Sequence, residues 1–422
     1  MKSSHQRNQS VSGYKHSEVG IIPVDWEVKQ IRDMNPFVTS GSRGWATFYS
    51  DRGSPFIRIT NLSRDCIYLD LEDLRFVNLV RNESEATRTQ LQDGDVLISI
   101  TADIGIIGYV SVNVPKPAYI NQHIALVRFD PSQTDPKFVS YFLASDNPQK
   151  LFRALTDSGA KAGMNLTTVQ QIYLALPPTL AEQHAIAEVL GDTDALIESL
   201  EQLIAKKRAV KQGVMQELLT GKTRLPGFSG EWGKTEFGSI AERIVGGGTP
   251  SRTVASYWNG VIPWMTVKDF VHHTGSETIE YITNDGLKNS ASHLIPKHTL
   301  ITSTRMALGK AVIFDVAVSI NQDLKAIFAT KDTDTHFLYY WFQLNERLIA
   351  DMGSGSTVMG ISLGELRKIP FIKPSLAEQT AIAAILSDMD EEIAALEAKL
   401  TKTRHVKQGM MQELLTGRIR LV

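Results

Sequence analysis

One stretch of this chain is written twice. LAEQHAIAEVLGDTDALIESLEQLIAKKRAVKQGVMQELLTGKTRL, Leu180 to Leu225, returns without a gap as LAEQTAIAAILSDMDEEIAALEAKLTKTRHVKQGMMQELLTGRIRL, Leu376 to Leu421. About 28 of the 46 aligned positions are identical, and an internal repeat constrains the fold before any local propensity does. The chain therefore alternates: globular segment, repeated segment, globular segment, repeated segment.

Each copy reads as a long helix. Leu190, Ile197, Leu200, Ile204, Val214 and Leu218 in the first, and Leu386, Met389, Ile393, Leu396, Leu400, Met410 and Leu414 in the second, fall at coiled-coil spacings and form an apolar seam. Neither copy contains a proline; Gly221 and Gly417 stand where a left-handed residue stops a helix, followed by basic Lys222, Arg224, Arg418 and Arg420. From Glu182 to Leu219 the rod is about 57 Å long at the usual rise. Two seams in one chain are buried most economically against each other, and the intervening globular segment favours an antiparallel pair with a pseudo-two-fold axis and a globular segment at each end. Lys207, Lys211, Thr403 and Lys407 interrupt the seam. They either fix its register or open a port for partner helices. Val210, Gln212, Met215 and Gln216, with Val406, Gln408, Met411 and Gln412, are expected on outer faces that a partner clasps.

Composition sets limits. With 422 residues the chain is long enough for two or three domains. Its 44 basic and 46 acidic side chains nearly cancel, so the basic footprint of a protein that binds nucleic acid tightly by itself is missing. The single cysteine, Cys66, rules out an internal disulfide framework and a cysteine zinc site, which suits a reducing cytoplasm. No apolar run approaches membrane-spanning length and no leader is visible; residues 1–19 read as a loose polar tail.

Both globular segments mix strand and helix, giving an α+β class. In the first, Pro55–Thr60, Asp95–Ser99 and Tyr119–Phe129 are β-rich, and Phe138–Leu155 is helical; in the second, Ile262–Val267, Thr299–Thr302, Ala311–Phe314 and Ser319–Phe328 precede a helical Phe337–Met352. Expected boundaries are 20–178 for the first domain, 179–225 for the central helix, 226–374 for the second domain and 375–422 for the last helix.

No catalytic or metal constellation emerges. Leu176-Pro177-Pro178-Thr179 has the prolines of an adenine methyltransferase motif without its polar head or aromatic tail, and Gly221-Lys222-Thr223 mimics a phosphate loop whose first glycine is replaced by Gln216. Glu27-Val28-Lys29 lacks the supporting acid of a nuclease site, and His272, His273, His293 and His298 show no ligand pattern.

The chain resembles a specificity subunit of a Type I restriction-modification system. The resemblance runs from Gly20 onward. It is carried by PVDW at Pro23–Trp26 and LPGFSGEW at Leu225–Trp232, by FIRITNL at Phe56–Leu62 and PWMTVKDF at Pro263–Phe270, and by GDVLISITADIGIIG at Gly94–Gly108 and TLITSTRMALGKAVI at Thr299–Ile313. Asn121-Gln122 and Asn321-Gln322 recur in the same place, LPPTLAEQ and IKPSLAEQ lead into the helices, and QELLTG closes both halves. The resemblance implies two target recognition domains, each reading one half of a bipartite asymmetric DNA sequence, separated by a helix pair that sets half-site spacing and docks two adenine methyltransferase subunits. It also implies that this subunit is non-catalytic. S-adenosylmethionine would then belong to the methyltransferase partner, and ATP and magnesium to a motor-nuclease partner, of which two copies could join.

Residue types and loop placement select DNA-contact candidates. In the first domain these are Arg43, Tyr49, Arg58, Asn61, Arg64 and Lys161 in the loop 158–163. In the second they are Thr249, Ser251, Arg252, Trp264, Lys268, Arg305, Lys310, and Ser354 and Ser356 in the loop 353–357. Trp26, Trp232, Leu62 and Ile262 are expected in the domain cores, and Glu182-Gln183 and Glu378-Gln379 as anchors between domain and helix. Two other classes stay open: a single-chain methyltransferase or nuclease fragment, and a coiled-coil scaffold with two protein-binding domains and no DNA specificity.

Overall fold

A computed structural model describes residues 13–41, 43–79, 84–157, 164–271, 275–353 and 360–421. The chain forms two compact units: residues 1–201 together with 398–422, and the continuous stretch 202–397. The two repeated segments are helices of 39 residues each, Leu180–Leu218 and Leu376–Leu414, and each helix contributes one half to each unit.

The first unit is built on a four-stranded antiparallel sheet in the order Phe37–Ser40, Ile124–Arg128, Val96–Ser99, Ile107–Tyr109. Every residue of Val96–Ser99 is buried, as befits a central strand covered on both faces. A second sheet runs Tyr119–Ile120, Ser54–Ile57, Arg75–Val77, Tyr49–Ser50. The sequence predicts Tyr119–Phe129 as one strand; it is two, in different sheets. The break lies at Asn121, whose side-chain oxygen accepts the backbone N–H of His123 and so closes a local turn. The helix predicted over Phe138–Leu155 likewise divides, at an extended Ser145, into Pro136–Ala144 and Asp146–Asp157.

The second unit repeats this frame. Its antiparallel sheet runs Ala241–Gly246, Leu324–Ala329, Leu300–Ser303, Ala311–Ile313, and its mixed sheet Glu280–Ile282, Trp258–Met265, Val318–Ile320, Leu294–Ile295. Ser319–Phe328 divides at Asn321 by the same side-chain turn, with Asp323 N–H as donor. The helix Thr335–Asp351 is here unbroken.

Within each unit the two helix halves run antiparallel, and the pairing in one unit is the counterpart of that in the other. In the first, Ile186, Ala187 and Leu190 share a core with Leu414 and Leu415; in the second, Met215, Leu218 and Leu219 share one with Ile382, Ala383 and Leu386. The polar interruptions are ion pairs across the helices. Lys407 meets Asp194 at 2.6 Å, and Tyr141 donates to the same carboxylate at 2.7 Å. Lys211 meets Asp390 at 2.5 Å, and Tyr340 donates to it at 2.9 Å. Lys207 adds a pair with Glu392 at 2.6 Å, whereas Thr403 bonds back to Lys399 O of its own helix at 2.8 Å. Burial first, and then the Asp194 charge, push the Tyr141 phenol far above its ordinary value, so it remains a donor.

Glu182 and Glu378 anchor the helix starts. Arg420 grips the buried Glu182 and also Asp25, and Arg224 grips the buried Glu378, which accepts a further bond from the Trp232 indole. Beside them Gln183 accepts from Asp135 N–H and Gln379 from Asp334 N–H, both at 2.9 Å. Asp135 and Asp334 are themselves the N-caps of the helices that follow. Trp26, Leu62 and Ile262 lie in the cores; Trp232 is half-buried, held between Arg224 and Glu378.

Candidate nucleic-acid interface

Three loops meet at one end of each antiparallel sheet. In the first unit they are the segment leaving Phe37–Ser40, the hairpin between Val96–Ser99 and Ile107–Tyr109, and the turn Asn121–His123 that carries the chain from one sheet to the other. The close approach of the first to the third requires Gly41: a Cβ there would stand 2.1 Å from Asn121 C and O. The hairpin touches the turn twice, through Ile100 N–H to His123 O at 2.9 Å and Thr101 Oγ1 to His123 Nδ1 at 2.5 Å. Its tip is Ala102, held in the left-handed region at φ 61°.

The second unit builds the same end from Gly247–Thr249, the hairpin 304–310 and Asn321–Asp323. A Cβ on Gly247 would lie 1.8 Å from Ile320 O. Thr304 N–H donates to Asp323 O at 3.0 Å, Thr249 donates to Gln322 Oε1 at 2.6 Å, and the hairpin tip is Met306 at φ 69° and 61% exposed. Non-glycine residues in that region are uncommon and persist only where the surroundings dictate them. At the place of Thr101 and His123 stand Arg305 and Asp323, whose charged atoms are 3.6 Å apart.

A second cluster flanks this end. Arg252 lies 3.7 Å over the Trp258 ring and is paired with Glu280, which holds that carboxyl below its ordinary value. Trp258 meets Trp264 edge-on, and the Trp264 indole donates to Gly248 O at 3.1 Å.

The remaining candidates divide by accessibility. Arg43, Thr249, Ser251, Lys268 and Lys310 are exposed, and Tyr49 is 48% exposed. Arg58 and Arg64 reach the surface but have internal partners: Arg58 donates to Asp73 O at 3.1 Å, and Arg64 to Gln149 at 2.7 Å and to Asp103. Two candidates are corrected. Asn61 is buried, with its amide spent on Asp70 O and Asp73 O and its oxygen on Arg58 N–H. Trp264 is 2% exposed, so its indole supports the loop and has no surface to offer. Lys161, Ser354, Ser356, His272 and His273 lie outside the described residues.

On the helices Val210 and Val406 are 47% and 48% exposed, and Gln212, Gln216, Gln408 and Gln412 are exposed as well. Met215 is corrected: it is buried in the core of the second unit, while Met411 packs half-buried on the core of the first. Thr101, Gln122, His123, Gln322 and Asp323, which stand at these loop ends, are not among the candidates selected from the sequence. The signal was present, because Asn-Gln recurs in both halves with a different residue after it.

Among the described residues no group of three His, Cys, Asp or Glu could hold a metal ion, and no helix is long and apolar enough to cross a membrane. Burial raises the Cys66 thiol, so it is not a reactive thiolate.

The model of the Type I restriction modification DNA specificity domain matches residues 23–206 and again 229–403. The chain belongs to that family. A relative from Methanocaldococcus jannaschii, provisionally named the type I restriction enzyme MjaX specificity subunit, is 27% identical over 424 residues, covering 97% of each chain. The EcoR124I/EcoR124II specificity subunit of Escherichia coli is 25% identical over 56% of each chain. The crystal structure of the Type I restriction-modification S subunit from M. genitalium shares the fold, with a TM-score of 0.60 at 15% identity over 92% of this chain and 96% of that one. Members of this specificity family are non-catalytic.

Proposed function

We propose that this chain is the DNA-specificity subunit of a Type I restriction-modification complex, in which each unit reads one half of a bipartite asymmetric target. The helix pair sets the spacing of the half-sites and docks two adenine methyltransferase subunits. Those partners carry S-adenosylmethionine; two motor-nuclease subunits, with ATP and magnesium, complete a restriction enzyme. The setting is cytoplasmic.

The observation that supports this best is the repeated loop end. One backbone arrangement occurs twice, with a Thr–His pair in one unit and an Arg–Asp pair in the other. Two readers of different sequences need a common frame with divergent tips. A near-neutral chain suits a subunit whose partners supply much of the nonspecific phosphate affinity. Docking is assigned to the exposed helix positions Val210, Gln212, Gln216, Val406, Gln408 and Gln412, with Met411 at the edge.

Methylome sequencing of cells with and without the gene tests the proposal. A bipartite adenine-methylation motif present only with the gene is expected, together with copurification of about two methyltransferase subunits per chain. Identical methylomes, with no sequence-selective DNA binding by the assembled complex, would leave the scaffold reading in its place.

A further inference from the structure

The two loop ends agree in backbone and differ in the side chains that touch across them. Ala102 and Met306 occupy the same left-handed position, and Asn121 and Asn321 close the same turn. Ser99 Oγ donates to Asp103 O and Ser303 Oγ to Arg305 O, so both hairpins are tied by a serine at the strand end. On this common frame Thr101 and His123 touch in the first unit, and Arg305 and Asp323 face each other in the second.

We propose that positions 101 with 123 and 305 with 323 are specificity pairs, with Arg305 reading a guanine in the half-site of the second unit and Asp323 positioning it. This rests on the DNA-specificity reading above. Asp323 is 15% exposed and Arg305 55% exposed, so a largely buried carboxylate holds a guanidinium that reaches solvent. At 3.6 Å the contact is an ion pair and not a hydrogen bond, which leaves the planar donor fork for a ligand. Such a fork matches guanine O6 and N7 in the major groove. Met306 beside it is an apolar side chain at an exposed tip, and Gln322, whose oxygen is taken by Thr249, keeps its amide N–H groups as donors.

An ordinary surface ion pair has the same distance, and such pairs contribute little to stability. The sibling unit argues against that account, because the same backbone stands there on a threonine and a histidine, with no arginine–carboxylate pair between these two positions. The fold does not need Arg305 or Asp323. Thr101 and His123 present a hydroxyl and an imidazole, a donor and acceptor set different from a guanidinium and a carboxylate.

The test uses the full chain assembled with its methyltransferase partner. Arg305→Ala, Arg305→Lys and the graft Arg305→Thr with Asp323→His are compared by methylome sequencing and by methylation of oligonucleotides carrying each base at every half-site position. The graft borrows its residues from the sibling unit, which guards against loss of fold. Arg305→Ala and the graft should lose the parent's preference for guanine at one position of one half-site, a preference of about tenfold or more for a bidentate contact, with the other half-site and the gap unchanged. Asp323→Asn should weaken the same preference partially and no other. An unaltered motif in the variants overturns the proposal. A uniform loss on every sequence, with base preferences intact, overturns it too, because Arg305 would then be a phosphate contact. A parent complex without any motif would refute the underlying reading instead, and the two failures are distinct.

Discussion

Lys407→Ala should cost far more than its counterpart Lys211→Ala, although the two lysines occupy the same place in the repeat. In the first unit the Asp194 side chain is 5% exposed and that of Lys407 10%; in the second, Lys211 is 12% exposed but Asp390 is 40% exposed. Removing Lys407 leaves a carboxylate that is almost wholly buried, with the Tyr141 hydroxyl as its remaining hydrogen-bond donor among the described residues. Breaking a buried pair of this kind costs about 3 to 5 kcal/mol, and the surviving tyrosine bond places the expectation near the lower figure. Removing Lys211 leaves a carboxylate that can rehydrate, so the loss should fall to about 1 kcal/mol. Replacing the whole first cluster by apolar groups, Asp194→Leu with Lys407→Met and Tyr141→Phe, should bring stability back to within about 1 kcal/mol of the parent. Urea unfolding followed by circular dichroism, with the single and combined variants arranged as a cycle, measures these differences provided the denaturant slope is unchanged. Equal costs at the two lysines, or a cost below about 1 kcal/mol for Lys407→Ala, would refute the argument from burial.

Three further outcomes are expected. The Glu280 carboxyl is held below its ordinary value of 4.5 by Arg252, so its contribution to stability is present above that value and lost as pH falls through the lower folded value; Glu280→Gln should flatten the melting temperature against pH between about 5 and 3, and an unchanged profile would refute this. Exchanging residues 20–178 for those of a relative should alter one half of the methylated motif and leave the other, provided the graft keeps the Thr134–Asp135 contact to Gln183; a change in both halves defeats the two-reader model. Four residues inserted in both helices, between Gln202 and Lys207 and between Ala398 and Thr403, leave the cross-helix pairs Glu201–Arg404 and Arg208–Glu397 intact while adding about 6 Å of helix. A DNA gap longer by one or two base pairs should follow, and an unchanged motif from an active variant would sink the ruler idea.

The helices were legible because their signal is periodic and repeated. Leu190 and Leu386 fall where the seam places them, and Lys211 and Lys407 interrupt it as a register device would. The domains were legible as strands and turns, but Tyr119–Phe129 looked continuous because strand propensity does not register a side chain that bonds its own backbone, as Asn121 does. The site was the least legible part. Arg305 was singled out by its type; Asp323, which faces it, and His123 in the sibling unit were not, because a pair formed across two loops has no spacing in sequence. Trp264 and Asn61 misled because an aromatic ring or an amide suits a base as well as it suits a buried carbonyl, and only burial separates the two uses.

The division of the first unit between residues 1–201 and 398–422 has a consequence for how the protein is made. Leu414, Leu415 and Arg420, which close the first core and hold Glu182, leave the ribosome only after the whole of the second unit has been made. The second unit is continuous and can fold as soon as it has emerged. At about 5 to 20 residues per second, the first domain waits roughly 10 to 40 s with Ile186 and Leu190 uncovered. During that interval the end of its own first helix, or that of a neighbouring nascent chain on the same message, offers a near copy of the missing segment. A message cut short after the second unit would therefore yield a chain with one finished core and one open one, a ready substrate for chaperones and proteases.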